Sequence, residues 1–379
     1  MILLGYFQID VKVIKQWPIF TWDINPCQPT KNVMFLKTHK TASSTVLNIL
    51  LRFSEKHNLT VALPNGQNVH LGYPSHFKAT FVEEFKTIGQ NFNIMCNHLR
   101  FNLPEIRRVM PNNTFYFSIL RDPASLLESS YVYYKTYCPA FRETKDVNEF
   151  LSSPLSYYNL SEKRYNVYAR NNMWFDFGYD NNAVYDEYYF QSVIQDIEQN
   201  FQLMLIADYF DESMILLKNA LCWDLDDVVY FKLNSRSRDS VQSLTPESKE
   251  KVKEWCTLDW KLYNHFNNSF WMRIQETLGL EMLYKEVSLL QKRQKELMET
   301  CLLEETAIDK TRIKDKKLKP YQSGQANILG YNLKQDLDNT TLKICQKMII
   351  PELQYMAYLY SHQFPNKTRK PIDFPTQQR

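Results

Sequence analysis

The chain has 379 residues, of which 44% are hydrophobic and 14% aromatic, so it can bury the core of one large domain or of two closely packed ones. Its formal net charge of +3 is too small to indicate a nucleic-acid-binding protein. With only 8 glycines it has neither the G-x-x-x-x-G-K-[ST] loop of nucleoside triphosphatases nor a G-x-G-x-x-G motif. A small-molecule kinase is therefore disfavoured.

The N-terminal segment starts with an apolar stretch, Met1 to Phe7, of about seven residues, whereas a bilayer span requires roughly 20. Asp10 and Lys12 interrupt it further, and a signal peptide would have a basic start and a longer apolar core. We expect residues 1–26 to be an atypical segment without a membrane span. The globular domain is expected at 27–368, and a tail at 369–379.

The first strong pattern covers residues 33–45. An apolar run, Val33–Leu36, predicts a buried strand, and an amphipathic helix follows a loop of small hydroxyl residues. A strand, a loop and a helix N-terminus form an anion-binding site, because free backbone N–H groups and the positive end of the helix dipole face the ligand. Lys40 would add a charge, and hydroxyl groups would come from Thr41, Ser43, Ser44 and Thr45. The alternative is an ordinary turn with a Ser/Thr cap.

A second phosphate-binding pattern follows residues 114–120, whose β-branched and aromatic side chains predict another strand. Arg121 leaves the end of this strand, and Ser129 lies two turns into the next predicted helix. Together they suit a phosphate group, with Arg121 giving paired donors. The alternatives are an ion pair between Arg121 and Asp122, and an ordinary helix hydroxyl at Ser129.

The order of the elements predicts an α/β fold up to about residue 222. Further strands are predicted at 60–63, 92–96 and 201–207, and helices at 103–110, 124–135 and 212–221. This alternation predicts a largely parallel sheet with helices on both faces, whose ligands bind beyond the carboxyl ends of the strands. Candidate functional groups at that edge are Lys40, His98, Arg121 and Asp208.

A helix-rich part is predicted from about residue 245, where Thr245-Pro246-Glu247 has the pattern of a helix start. Residues 281–299 predict a long amphipathic helix that packs on the rest of the domain; the alternative is a partner or membrane-surface helix. Residues 310–319 form a basic loop, which is either simply solvated or placed near anionic lipid.

The seven cysteines include no C-x-x-C pair, so zinc is not indicated and we expect no metal. Because their number is odd, at least one thiol stays free or pairs between chains. Six N-x-[ST] triplets suggest glycosylation and a secretory route, at Asn58, Asn112, Asn159, Asn267, Asn339 and Asn366.

The loop Lys40-Thr41-Ala42-Ser43-Ser44-Thr45 resembles the 5′-phosphosulfate loop of sulfotransferases that use 3′-phosphoadenosine 5′-phosphosulfate (PAPS). Arg121 and Ser129 resemble the 3′-phosphate site of the same enzymes. The resemblance to the galactose-3-O-sulfotransferase family is closer and spans about residues 27–368. It is carried by residues 35–45 and by HLGYP at 70–74, CNHLRF at 96–101, NNMWFDFG at 171–178, LNSRS at 233–237, PYQSG at 320–324 and PELQYM at 351–356.

This resemblance implies an α/β sulfotransferase domain with a P-loop-like parallel sheet, PAPS as donor, and a place on the lumenal side of the Golgi membrane. The implied acceptor is the 3-hydroxyl of a terminal β-galactose. Within the family, the similarity looks greatest to members that sulfate galactosylceramide to make sulfatide, which would bring the enzyme to the membrane surface. Galactose-ended glycoproteins, or a non-catalytic carbohydrate- or nucleotide-binding relative, are the alternatives. A homodimer is compatible with the sequence, and no nucleic acid is expected.

The resemblance also suggests roles for single residues. His98 follows a predicted strand where related enzymes have a catalytic histidine, so we assign it as the base, with rate rising near pH 6–7. Lys40 would stabilise the leaving phosphate oxygen, and the cofactor residues are Lys37, Lys40, Thr41, Ala42, Ser43, Ser44, Thr45, Arg121 and Ser129.

The acceptor site is less clear in the sequence. His70 is the second candidate base and would shape the acceptor pocket, while the His39 side chain should point away from that of Lys40 if the backbone is extended there. Trp174 and Asp176 would contact the galactose, although an aromatic cluster is more often core. The Ser/Arg-rich loop at 234–238 would close over the cofactor, or else form an exposed turn.

Overall fold

The computed structural model describes residues 27–158 and 163–367. The predicted N-terminal segment at 1–26 and the tail at 369–379 lie outside the described residues. Over the two described ranges, no helix is both long enough and apolar enough to cross a bilayer.

The centre of the fold is a parallel sheet of four strands in the order β2-β1-β3-β4. The strands are β1 (Val33–Leu36), β2 (Ile94–Met95), β3 (Phe115–Leu120) and β4 (Leu203–Ile206). Almost every strand residue is buried, as expected for parallel strands covered on both faces. The predicted parallel α/β sheet is therefore confirmed, with strands one to three residues shorter than expected except for β1.

The predicted strand at 60–63 is wrong. Val61 forms only an isolated bridge to Ile94, at the edge of the sheet. The partner strand β2 has just two residues, and Pro64 ends the segment without a backbone donor, so a ladder cannot extend.

Helices flank the sheet and continue through the C-terminal part. Their bounds are α1 (Ser43–Lys56), α2 (Phe85–Ile88), α3 (Leu103–Ile106), α4 (Pro123–Tyr134), α5 (Pro139–Arg142), α6 (Val147–Ser152), α7 (Pro154–Tyr157), α8 (Lys163–Asn166), α9 (Asn172–Asp176), α10 (Glu187–Asn200), α11 (Phe210–Leu221), α12 (Leu225–Val228), α13 (Pro246–Trp255), α14 (Thr257–Thr277), α15 (Leu280–Cys301), α16 (Asn339–Ile349) and α17 (Glu352–Gln363).

Capping residues set the helix starts that matter for the site. Asp122 caps α4 by accepting a hydrogen bond from the Ser125 N–H at 2.8 Å, and Pro123 occupies the first helical position. Thr245 caps α13 in the same way, as the sequence predicted. The expected helix at 103–110 is only one turn long, since α3 ends at Ile106.

The long C-terminal helix α15 packs on the rest of the domain, as expected for its amphipathic pattern. Leu283, Val287 and Leu290 are buried in the main core, and Lys218 of α11 pairs with Glu286. The basic segment 310–319 contains two short 3₁₀ turns with Leu318 buried between exposed lysines. Its proximity to lipid stays a prediction.

Two disulfides join distant parts of the chain. Cys27 is bonded to Cys222 at the end of α11, and Cys301 of α15 is bonded to Cys345 of α16. The other three thiols, at Cys96, Cys138 and Cys256, are free and buried. An unpaired thiol was expected from the odd number of cysteines.

Candidate active site

The loop after β1 reaches α1 through two residues in the left-handed region. Lys40 has φ 58° and Ala42 has φ 60°, a backbone conformation that residues other than glycine and asparagine rarely adopt. Thr41 and Ser43 brace this turn, because both hydroxyls donate to the Thr38 carbonyl oxygen, at 3.1 and 2.7 Å. The Thr45 N–H donates to the Ala42 carbonyl oxygen at 3.0 Å, whereas the N–H groups of Ser43 and Ser44 have no acceptor one turn back in the helix and are candidate anion donors.

The hydroxyl groups of the loop form hydrogen bonds within the protein, whereas we expected them to be donors to a ligand. Besides Thr41 and Ser43, Ser44 donates its hydroxyl proton to Glu352 at 2.8 Å. Thr45 Oγ1 accepts a hydrogen bond from the Leu233 N–H at 3.2 Å and keeps its own proton available. These hydroxyl groups therefore fix the shape of the loop through hydrogen bonds within the protein.

A cavity of about 850 Å³ brings the predicted donor-site residues together. Every predicted cofactor residue lines it, and so do both candidate bases, His70 and His98. Five cationic side chains and two carboxylates lie in its wall, namely Lys37, Lys40, Arg121, Lys232 and Arg236 against Asp208 and Glu352. This excess of positive charge suits a ligand with several negative charges.

Arg121 and Ser129, the predicted phosphate contacts, line the same cavity. The Arg121 Nη1 donates to the Lys40 carbonyl oxygen at 2.9 Å, which links the end of β3 to the loop. Asp122, the alternative ion-pair partner, caps α4 instead. Ser129 is 4% exposed and lines the cavity from α4.

The Ser/Arg-rich segment also contributes to the cavity. Arg236 lines it and forms a buried ion pair with Glu128, in which Nη1 lies 3.1 Å from Oε1. An exposed turn is thus excluded for Arg236, whose side chain is 9% exposed.

The charge of Lys40 is destabilised by its surroundings. Burial, together with the charges of Arg236, Arg121 and Lys37, lowers the pKa of Lys40 well below its usual value. Its ammonium group lies 3.6 Å from the centre of the Tyr133 ring, which offers partial compensation. A bound polyanion would supply the negative charge that this cluster lacks.

His98 has the protonation state and tautomer of a base. Its Nδ1 lies 2.8 Å from the Lys37 carbonyl oxygen, which can only accept, so Nδ1 carries the proton. Its Nε2 therefore carries the lone pair, which accepts a hydrogen bond from the Lys37 ammonium at 2.7 Å. Burial and the neighbouring His39 and Lys37 lower the pKa of His98 well below its usual value, so the ring is neutral near pH 7.

His39 and Asp176 form a support behind His98. The left-handed Lys40 bends the loop, and the His39 ring stacks on that of His98 with centroids 3.8 Å apart and an angle of 9°. Asp176 accepts hydrogen bonds from the backbone N–H of His39, at 2.8 Å, and from its Nδ1, at 2.9 Å.

The predicted sugar contacts at Trp174 and Asp176 are not brought into the cavity. Asp176 is fully buried against His39. Trp174 is also fully buried, with its ring stacked on Phe190 of α10. The aromatic cluster is therefore core, which was the alternative interpretation of this segment.

His70 lines the cavity close to His98, with its ring centroid 5.3 Å from that of His98. Burial lowers the pKa of His70 to about 4, with smaller effects of His39 and Lys37. The pKa of His98 is lowered as well, so this shift does not decide between the two candidate bases, and His70 keeps its place in the wall of the cavity.

A wall of tyrosines was missed in the sequence analysis. Tyr134 and Tyr168 stack with centroids 3.8 Å apart, and Tyr133 lies beside Tyr134. At the cavity edge, the hydroxyls of Tyr137 and Tyr321, both half-exposed, lie 2.9 Å apart. Tyr131, Tyr133, Tyr134 and Tyr137 are crowded into seven residues, and that crowding was the available signal.

The remaining predicted sites receive less support. Asn58, Asn112, Asn339 and Asn366 are exposed, as a glycan requires. Asn267 lies within α14 with its Oδ1 buried, which makes it a poor acceptor, and Asn159 lies outside the described residues. Over the described ranges, no cluster of three or more His, Cys, Asp or Glu side chains could hold a metal ion. Glycosylation and independence from metals stay predictions.

Comparison with known proteins gives the family. The family model described as galactose-3-O-sulfotransferase matches residues 8–363. "Galactose-3-O-sulfotransferase 2" of Mus musculus is 55% identical over 98% of this chain and 94% of its own length, and that of Sus scrofa is 56% identical over the same shares. "Galactosylceramide sulfotransferase" of Homo sapiens is 41% identical over 91% of this chain and 81% of its own length. The expected greatest similarity to galactosylceramide enzymes is corrected, because identity is higher to the enzymes named galactose-3-O-sulfotransferase 2. The chain belongs to the galactose-3-O-sulfotransferase family.

Proposed function

We propose that this enzyme transfers a sulfuryl group from PAPS to the 3-hydroxyl of a terminal β-galactose. The observation that carries the proposal is a single cavity in which a cationic anion cradle adjoins a neutral histidine. Arg121, Lys40 and the N-terminus of α1 suit the donor's phosphates, and the His98 Nε2 lone pair suits an acceptor hydroxyl.

The proposed donor site suits PAPS because the cavity wall has an excess of positive charge and offers one set of candidate donors for each of the two phosphate groups of PAPS. The loop N–H groups and Lys40 would hold the 5′-phosphosulfate, and Arg121 with Ser129 would hold the 3′-phosphate. The pKa of Lys40, lowered by burial and the nearby arginines, supports this fit, because bound phosphates would offset the repulsion. PAPS supplies the activated sulfuryl group, whose bond to the phosphate oxygen breaks as a bond to the acceptor oxygen forms.

The chain's own residues handle the charges that this transfer creates. The Lys37 ammonium first moves off the Nε2 lone pair, and His98 then takes the proton of the galactose 3-hydroxyl on Nε2, while its Nδ1–H stays bonded to the Lys37 carbonyl. Positive charge near the bridging oxygen stabilises the leaving phosphate. Lys40 has this role in our proposal, and Lys37 is a second candidate because its ammonium lies beside the His98 base nitrogen.

The acceptor side is proposed from the wall next to His98. His70 and the stacked Tyr134 and Tyr168 would offer polar groups and an aromatic face of the kind that sugars pack against. Galactose-ended glycoproteins are placed before galactosylceramide among the proposed acceptors, because identity is higher to the enzymes named galactose-3-O-sulfotransferase 2, a name that specifies galactose and no lipid. Galactosylceramide is the second candidate, supported by the 41% identity to an enzyme of that specificity.

A lumenal Golgi location is also part of the proposal. The two disulfides suit an oxidising compartment, where such bonds persist, and four exposed sequons suit the secretory route.

The test is transfer of radiolabelled sulfate from PAPS to a panel of soluble β-galactosides, lactosylceramide and galactosylceramide. We expect the label on galactose, with the 3-position identified by NMR, and higher kcat/KM for oligosaccharides than for galactosylceramide. His98→Gln is the matched inactive control. Binding of 3′-phosphoadenosine 5′-phosphate (PAP) without transfer to any galactoside would indicate the non-catalytic relative instead.

A further inference from the structure

Glu352 enters the cavity from a part of the chain remote from the sheet. It is the first residue of α17, which packs against α1. Its Oε2 accepts the Ser44 hydroxyl at 2.8 Å and lies 3.2 Å from the Lys37 Nζ. One carboxylate thus contacts both the donor loop and a lysine beside the proposed base.

The Glu352 carboxylate is the negatively charged partner of the Lys37 ammonium group. Its side chain is 2% exposed, and over the described residues Glu352 provides the only carboxylate within 4 Å of its ammonium group. The other side of the ammonium faces the His98 Nε2 at 2.7 Å. A buried ammonium in a cavity wall that contains four further cationic side chains requires such a counter-ion.

The proposed reaction makes this counter-ion more important. The Lys37 ammonium has to leave the Nε2 lone pair before His98 can accept the galactose proton, and a positive imidazolium then forms next to the ammonium. Without a carboxylate, the two charges would repel each other at close range in a poorly solvated site. Glu352 is placed to hold the ammonium and to offset this repulsion as the proton is transferred.

We propose that Glu352 is a positioning residue, which holds the Lys37 ammonium as it leaves Nε2 and His98 takes up the acceptor proton. This inference rests on the proposed function. Burial acts to raise the pKa of Glu352, but the Lys37 charge and the Ser44 hydrogen bond lower it overall, so the group is ionised at neutral pH.

The test uses Glu352→Gln, which keeps the size of the side chain and a hydrogen-bond acceptor for Ser44. Glu55→Gln is the matched control, because Glu55 joins α1 to Lys347 at 3.0 Å and to Tyr355 of α17 but does not line the cavity. Glu352→Asp keeps the charge and should restore part of the activity.

Two measurements on the full chain are expected to change together. In NMR titrations of the histidine rings, with His98 assigned from His98→Gln, the midpoint of His98 should fall further in Glu352→Gln and stay unchanged in Glu55→Gln, because a negative charge near the imidazolium is lost. The kcat should fall about 10–100-fold, as expected if one to two pKa units of imidazolium stabilisation are lost. The acidic limb of the pH–rate profile, where His98 loses its proton, should move to lower pH.

The outcomes separate this inference from the proposed function. An unchanged His98 titration in Glu352→Gln would overturn the inference, whatever the activity. Full activity of Glu352→Gln with an unmoved acidic limb would also overturn it, while leaving the sulfotransferase function intact. If the wild-type enzyme sulfates no galactoside, the proposed function fails, and the catalytic role of Glu352 fails with it.

Discussion

Arg121→Ala should remove the selectivity of the enzyme for a 3′-phosphate. One Nη1–H of Arg121 is used on the Lys40 carbonyl, at 2.9 Å, which leaves the rest of the guanidinium group for the ligand. Truncation of one partner of a buried, hydrogen-bonded charge pair costs about 2–4 kcal/mol, which corresponds to about a 30- to 1,000-fold rise in the Kd for PAP. The lost bond to Lys40 adds about 0.5–1.5 kcal/mol for any ligand that the loop holds.

The two contributions are separable by calorimetry with PAP and with AMP, which has no 3′-phosphate. We expect PAP binding to weaken far more than AMP binding in Arg121→Ala. The control is Arg108→Ala, which removes an exposed arginine that pairs with Glu105. Arg121→Lys should recover only part of the affinity, because an ammonium cannot give paired donors. Equal losses for PAP and AMP would refute the reasoning and make Arg121 a support of the loop alone.

Three further predictions concern the reaction and the core. His98→Gln should fold and bind PAP but transfer sulfate about 10²–10⁴-fold more slowly. Burial and the neighbouring His39 and Lys37 lower the pKa of His98, so its neutral form persists as the pH falls below 6.5. The midpoint of the His98 NMR titration in the ligand-free protein should therefore lie below the expected pH 6–7 range. A midpoint within that range would contradict the assigned environment. Lys40→Met should lower kcat by about 10²–10³-fold, and a near wild-type rate would give its role to Lys37. Trp174→Phe should lower Tm with little change in the KM for galactoside, whereas a raised KM at unchanged Tm would restore Trp174 as a sugar contact.

The sequence determined the parts of the site that are local in the chain. The apolar run before Lys37 and the run before Arg121 became neighbouring parallel strands, so the two phosphate motifs meet at one sheet edge. The position of His98 just after a third strand placed it at the same edge. Buried parallel strands read as continuous apolar runs, and their carboxyl ends share one side, so these inferences needed no tertiary information.

Contacts between distant segments were decided by the tertiary structure alone. Asp176 was expected to bind sugar, yet it lies against His39, which is 137 residues away, and Trp174 packs into the core. Glu352 reaches Lys37 across more than 300 residues because α17 packs on α1. Side-chain periodicity reports which face of an element is buried, but it does not report which partner that face meets.

Backbone conformation and protonation were also beyond the sequence. The left-handed Lys40 and Ala42 give the loop a shape that composition would assign to glycine, and they turn His39 onto His98. The neutral state of His98 follows from burial and from the nearby Lys37 and His39, so it exists only in the folded protein. The sequence thus determined which chemical groups reach the sheet edge, while packing decided their orientation, partners and charge, because these depend on distances that only the fold creates.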